Sequence, residues 1–217
     1  MNYHFDEIFK ILKKEVKNYN VPVVTLYSQN KHVFHVLISC LLSLRTRDEI
    51  TAKVTRELFK NVNKPEDILR IGLPRLRKKI KSINFYKTKA KNIYNVCKIL
   101  KEKYNSQVPK TEEELLGLPG VGRKTMNIVM AYGHYKDGFI PIDVHCHRIP
   151  NRLGWFKTKT PEETEIKLKE ILPKKYWWDF NNIFVAFGQS VCNPVSPKCS
   201  ICPIFKYCER IGVKRNR

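Results

Sequence analysis

The stretch Leu118-Pro119-Gly120-Val121-Gly122-Arg123-Lys124 reads as a tight turn between two helical segments. Pro119 stops the first segment. Gly120 and Gly122 accept positive φ and take side chains out of the turn. The backbone N–H groups there can then approach another molecule closely. The next helix starts near Arg123, and the N–H groups of its first turn have no partner inside the helix. The pattern makes an anion site suited to a phosphate. Two other glycine motifs fail here. Gly117 to Thr125 nearly fits a P-loop, but Arg123 stands at the lysine position and Lys124 comes one residue late. The segment before it reads as helix, whereas a P-loop follows a strand. Thr125 occupies the place of the third glycine in a dinucleotide fingerprint.

The charge of the chain agrees with a phosphate partner. There are 41 Lys and Arg against 20 Asp and Glu in 217 residues, a net charge of +21. Such a surplus repels itself, and a polyanionic partner relieves it. Nucleic acid is the expected partner, with an anionic membrane surface as the competitor. The longest nearly apolar stretch, Val33 to Leu44, is 12 residues long and includes His35, short of the roughly 20 that span a bilayer. The first residues carry charges throughout and lack the apolar run of a signal peptide. The expected location is therefore intracellular, with the genomic DNA, where thiols stay reduced.

The dominant hydrophobic period is helical. Phe5, Ile8, Phe9, Leu12 and Val16 fall three or four apart. So do Ile93, Val96, Cys97 and Leu100, and later Trp177, Phe180, Phe184 and Phe187. Thr46-Arg47-Asp48-Glu49, Thr111 to Glu114 and Thr160 to Glu163 read as capping boxes. Pro65 and Pro74 suit the first turns of two short helices. Val21 to Leu26 is the only passable strand, and Pro22 weakens it. The residues from Val213 to Arg217 read as a frayed basic tail. The chain reads as all-α.

Two further constellations carry chemistry. Cys192, Cys199, Cys202 and Cys208 form C-x6-C-x2-C-x5-C, interrupted by Pro194, Pro197 and Pro203. Reduced thiols at this spacing indicate a metal centre, and chemistry alone leaves zinc and an iron–sulfur cluster equally open. Cys40, Cys97 and Cys146 read as small buried apolar residues. Ile142-Asp143-Val144-His145 follows Pro141, and taken alone Asp143 reads as the N-cap of the next helix. Adjacent side chains diverge on a helix, which speaks against His145-Cys146-His147 as a metal site.

These motifs, in this order from about Val33 to Cys208, resemble the endonuclease III branch of helix-hairpin-helix DNA glycosylases. The resemblance implies a two-domain all-α fold. A six-helix barrel with the hairpin would span residues 23–136, and an iron–sulfur cluster domain would join 1–22 to 137–217. It implies that Gly120, Val121, Gly122 and Arg123 grip DNA phosphate. Lys124 maps to the lysine of members with lyase activity, and Asp143 to the catalytic aspartate. Placement in a first helical turn beside Arg123 favours a neutral, nucleophilic amine. A carboxylate at Asp143 would stabilise oxocarbenium character at the sugar. The four cysteines map to ligands of a four-iron–four-sulfur cluster, and Lys198 lies in the adjoining DNA-facing loop. Arg45 and Phe85 map to the two residues that fill the gap left by a flipped base, where relatives often carry Gln and Leu. Val144 departs from the usual Thr and Cys146 from the usual aliphatic residue.

The implied function is a bifunctional glycosylase/AP lyase of base excision repair. It would act, as a monomer, on duplex DNA with oxidised pyrimidines or abasic sites. A monofunctional mismatch glycosylase of the same fold and a noncatalytic DNA-binding module are the alternatives. Lys124 argues against the first and Asp143 against the second.

Overall fold

The computed structural model describes residues 3–19 and 32–217. The strand candidate at Val21 to Leu26 lies outside the described residues. Among the described residues the regular elements are all helical. The chain divides into two compact units, Val23–Phe139 and Met1–Pro22 with Ile140–Arg217.

The first unit holds helices α2 (Val33–Ser43), α3 (Asp48–Phe59), α4 (Pro65–Ile71), α5 (Leu73–Lys79), α6 (Tyr86–Lys103), α7 (Glu112–Leu116) and α8 (Arg123–Ile128). Its centre is α2, the longest apolar stretch of the sequence. Every residue from Phe34 to Leu42 is buried, as befits a helix that is apolar on all sides. Helices α3, α6 and α8 pack around it. His35 is accommodated by donating from Nε2 to Val62 O at 2.9 Å and stacking on Phe59 with ring centroids 4.1 Å apart. Ile93, Val96, Cys97 and Leu100 form the buried stripe of α6. Pro65 and Pro74 lie in the first turns of α4 and α5, where a missing N–H costs little. Thr111 caps α7 by accepting from Glu114 N–H. After Ile128, α8 widens into a π turn over Val129–Gly133, a local form common near functional sites.

One expected cap is absent. Helix α3 begins at Asp48 with Arg47, not Thr46, as its N-cap, and no side chain caps it. The Thr46 hydroxyl is committed elsewhere, accepting from Lys89 Nζ at 2.9 Å.

The second unit holds α1 (Phe5–Glu15), α9 (Val144–Leu153), α10 (Pro161–Ile171) and α11 (Trp177–Ser190). Ile8, Phe9 and Leu12 of α1 are fully buried. They share a core with Phe180, Phe184 and Phe187 of α11. Phe9 stacks on Tyr176 with centroids 4.0 Å apart, and Phe180 on Phe184 at 4.3 Å. Aromatic pairs add about 1 kcal/mol beyond the area buried. Thr160 caps α10, accepting from Glu163 N–H at 3.2 Å. Beyond α11 the chain forms 3-10 turns at Cys199–Ile201 and Phe205–Tyr207, separated by Pro203.

The C-terminal residues are pinned, contrary to the frayed tail expected from composition. Arg217 N–H donates to Pro197 O at 3.0 Å, and Ser200 N–H to Arg217 O at 3.2 Å. Main-chain pairing holds the tail, and composition carries no signal of it.

Candidate functional site

The hairpin is built as a turn between α7 and α8. Gly120 has φ +82°, a conformation open mainly to glycine. A Cβ there would also lie 2.7 Å from Asn92 Nδ2 of α6. Val121 is buried and anchors the turn from inside. Gly122 does not use the positive φ that glycine allows. It is the N-cap of α8 in extended conformation, φ −105°, and a Cβ would meet nothing within 4 Å. No constraint within its unit calls for glycine at that point. What glycine provides is a bare surface over the first N–H groups of α8. Arg123 is exposed and Lys124 half-buried in the first turn.

Arg45 and Phe85 stand near each other in the same unit. Both are exposed, Phe85 to 63%. That excludes a core role for this aromatic. Both have left-handed backbones, with φ of 52° and 58°. Asn84 Nδ2 donates to Arg45 O at 2.7 Å and so links the two loops.

In the other unit, Asp143 is the N-cap of α9. Its Oδ1 accepts from His145 N–H at 2.8 Å and Cys146 N–H at 2.9 Å. The capping role read from the sequence is therefore present. Val144 beside it is 67% exposed. His147 Nδ1 is paired with Thr164 Oγ1 at 2.6 Å, and Arg148 Nη2 is 3.0 Å from His145 Nδ1.

Cys192, Cys199, Cys202 and Cys208 line one pocket together with Arg152 and Lys198. Their thiols are not in coordinating array: among the described residues no three or more His, Cys, Asp or Glu are placed to hold a metal ion. Their chemistry nonetheless suits a cationic centre. Burial, reinforced by the neighbouring cysteines, pushes the Cys199 and Cys208 thiols up, and Cys202 up to about 12. Burial of these three thiols opposes their ionisation, and a metal centre reverses that penalty. Arg152 of α9, a buried cation that sequence reading missed, donates to Cys192 Sγ at 3.3 Å and to Asn193 O at 2.7 Å. Arg148, one turn earlier, donates to Cys192 O at 2.7 Å. Their i, i+4 spacing was the available signal. Cys40, Cys97 and Cys146 are buried core residues, and burial drives the Cys40 thiol up to about 12.

Comparison with known proteins decides the family. Residues 38–174 match the HhH-GPD superfamily of base excision DNA repair proteins. The chain is 47% identical to endonuclease III of Thermotoga maritima over 176 residues, which covers 81% of this chain and 82% of that one. The chain belongs to the endonuclease III branch of this superfamily. The fold agrees with that membership. A non-covalent endonuclease III–DNA complex superposes with a TM-score of 0.82 at 31% identity, covering 97% of this chain and 96% of that one. A trapped endonuclease III–DNA covalent intermediate gives a TM-score of 0.74 at 36% identity, covering 80% and 82%. Among the described residues no helix is long and apolar enough to cross a membrane.

Proposed function

We propose that this endonuclease III family protein excises oxidised pyrimidines from duplex DNA and cleaves the abasic strand by a Schiff-base route. The observation that carries the reading is the hairpin. It bares the first N–H groups of α8 at Gly122 and sets Lys124, half-buried, in the turn that follows. Phosphate held at Gly120 to Arg123 would bring the sugar of that strand toward the lysine. The +21 charge supplies the non-specific attraction.

In this mechanism the Lys124 Nζ lone pair forms a bond to C1′ as the bond from C1′ to the base breaks. The base departs with the electron pair and takes up a proton. Ring opening then gives an imine between Nζ and C1′. Loss of a C2′ proton and departure of the 3′ phosphate complete β-elimination, and water releases the enzyme. The Asp143 carboxylate opposes positive charge growing on the sugar and assists proton movement. One Asp143 oxygen is tied to the α9 N–H groups, so its orientation is preset. Arg45 and Phe85 fill the vacated place in the stack. The similarity to a protein caught as a covalent DNA intermediate supports the imine.

Cys192, Cys199, Cys202 and Cys208 would hold a four-iron–four-sulfur cluster, which would supply no step of base removal and would order the loop containing Lys198. Arg152 and Arg148 brace that loop from α9.

The test is a duplex bearing one thymine glycol, incubated with the protein without added base or heat. The reading requires strand cleavage at the lesion. Base release with an intact strand would instead identify a monofunctional glycosylase, and unaltered DNA under full binding a binding module.

A further inference from the structure

Lys89 is a lysine in the apolar stripe of α6, four residues after Phe85, and it is 7% exposed. Its ammonium donates to Leu42 O at 2.7 Å, to Leu44 O, and to Thr46 Oγ1 at 2.9 Å. A buried ammonium is costly unless its donors are met, and here three acceptors meet it. Leu42 O belongs to the last turn of α2, where carbonyls lack helical partners and the dipole end is negative. Burial lowers the Lys89 amine to about 8, so it stays mostly protonated at neutral pH.

The loop it holds is under strain. Ser43 to Thr46 closes a turn, with Thr46 N–H donating to Ser43 O at 3.0 Å. Leu44 has φ −51° and ψ 117°, and Arg45 follows at φ 52°. That is a type II turn, whose third position favours glycine. Arginine there is strained, and so is the left-handed Phe85. Such residues persist where surrounding contacts over-determine them. The contacts are Lys89 on the Leu44 carbonyl and Asn84 on the Arg45 carbonyl. Asn84 and Lys89 flank Phe85, the N-cap of α6. The presentation of Arg45 is thereby tied to that of Phe85.

We propose that Lys89 is a positioning residue for gap filling: its ammonium ties the Arg45 turn to the start of α6, so that Arg45 and Phe85 enter the duplex as one preset pair. The proposal rests on the base-excision reading above. Lys89 is buried, so it acts through the turn it holds and not on the sugar or the base. Its effect is confined to substrates in which a base pair must be opened.

Two substrates separate that role from a general one. The first is a duplex with thymine glycol and 2-aminopurine beside it, which reports flipping by fluorescence. The second is a single-stranded oligonucleotide with an abasic site, which has no stack to fill. Lys89→Met should lower single-turnover base release on the duplex at least ten-fold and abolish most of the fluorescence rise. Its cleavage of the single strand should stay within two-fold of wild type. Equal losses on both substrates, or no loss on the duplex, would overturn the proposal. Should Lys89→Met not fold, Asn84→Ala decides the matter at an exposed position. At least a three-fold loss confined to the duplex is required, and its absence overturns the proposal. Wild-type protein inactive on both substrates would instead overturn the base-excision reading, and this inference with it.

Discussion

The carboxylate of Asp143 accepts the main-chain N–H of Cys146 at 2.9 Å, and that of His145 at 2.8 Å. In the proposed mechanism this one side chain both caps a helix and serves the reaction. The two demands can be separated by substitution. Asparagine caps as well as aspartate, whereas alanine costs about 1 kcal/mol at such a position. Asp143→Asn should keep the melting temperature near wild type and lose base release by a hundred-fold or more. Asp143→Ala should lose both. Thermal denaturation alongside single-turnover kinetics checks this. Full activity in the asparagine variant would leave Asp143 a cap alone.

The two hairpin glycines should respond differently. At Gly120 the φ of +82° and the 2.7 Å approach to Asn92 penalise any side chain. Gly120→Ala should destabilise by about 1–2 kcal/mol, besides weakening DNA binding. At Gly122 the backbone suits any residue and a Cβ meets nothing. Gly122→Ala should leave stability unchanged and still weaken binding, because the methyl would stand where the proposed function puts the phosphate. Urea denaturation and binding isotherms at one fixed salt concentration measure both effects. Unchanged affinity in Gly122→Ala would remove the phosphate from that spot.

Acid should destabilise the Val23–Phe139 unit through two histidines. Burial lowers both His35 and His134, although each is bonded to a carbonyl. Their folded values lie below the ordinary 6.5, so the unfolded chain takes up protons first as pH falls. Stability from these residues is present above about 6.5 and declines as pH drops below it toward the folded values. His35→Gln retains a donor for Val62 O and has no proton to gain. Its melting temperature should fall less between pH 7 and about 5 than that of wild type. Parallel slopes would contradict the assignment.

The cysteines divide into two groups by environment. Cys199 lines the pocket shared by the four clustered thiols, whereas Cys97 is fully buried in the other core. Purified wild-type protein should contain about four iron atoms per chain. Cys199→Ser should lower iron content and visible absorbance, and Cys97→Ser should leave both unchanged. Zinc in place of iron would refute the cluster and leave the ligand set standing.

Much of this molecule can be read locally. The stripes of α1, α6 and α11, the caps at Thr111 and Thr160, and the hairpin turn all depend on residues within one or two helical turns of each other. What escaped reading depends on distant partners. Thr46 looks like a cap until Lys89, 43 residues away, claims its hydroxyl. Lys89 itself interrupts an apolar stripe, and only its distant carbonyl partners give that position a reason. The C-terminal tail is polar and basic, yet main-chain bonds to Pro197 and Ser200 hold Arg217. Of the two hairpin glycines that accept positive φ, only Gly120 uses it, and Gly122 is extended.

The central claim is that the Lys124 amine forms the covalent link to DNA. Wild type and Lys124→Ala should be incubated with duplex DNA carrying one abasic site, borohydride added, and adducts resolved on a denaturing gel. Wild type should give a stable protein–DNA adduct. Lys124→Ala should give none while binding the same duplex within a few-fold of wild-type affinity. An adduct of undiminished yield in the alanine variant, or none with bound wild type, would contradict the account.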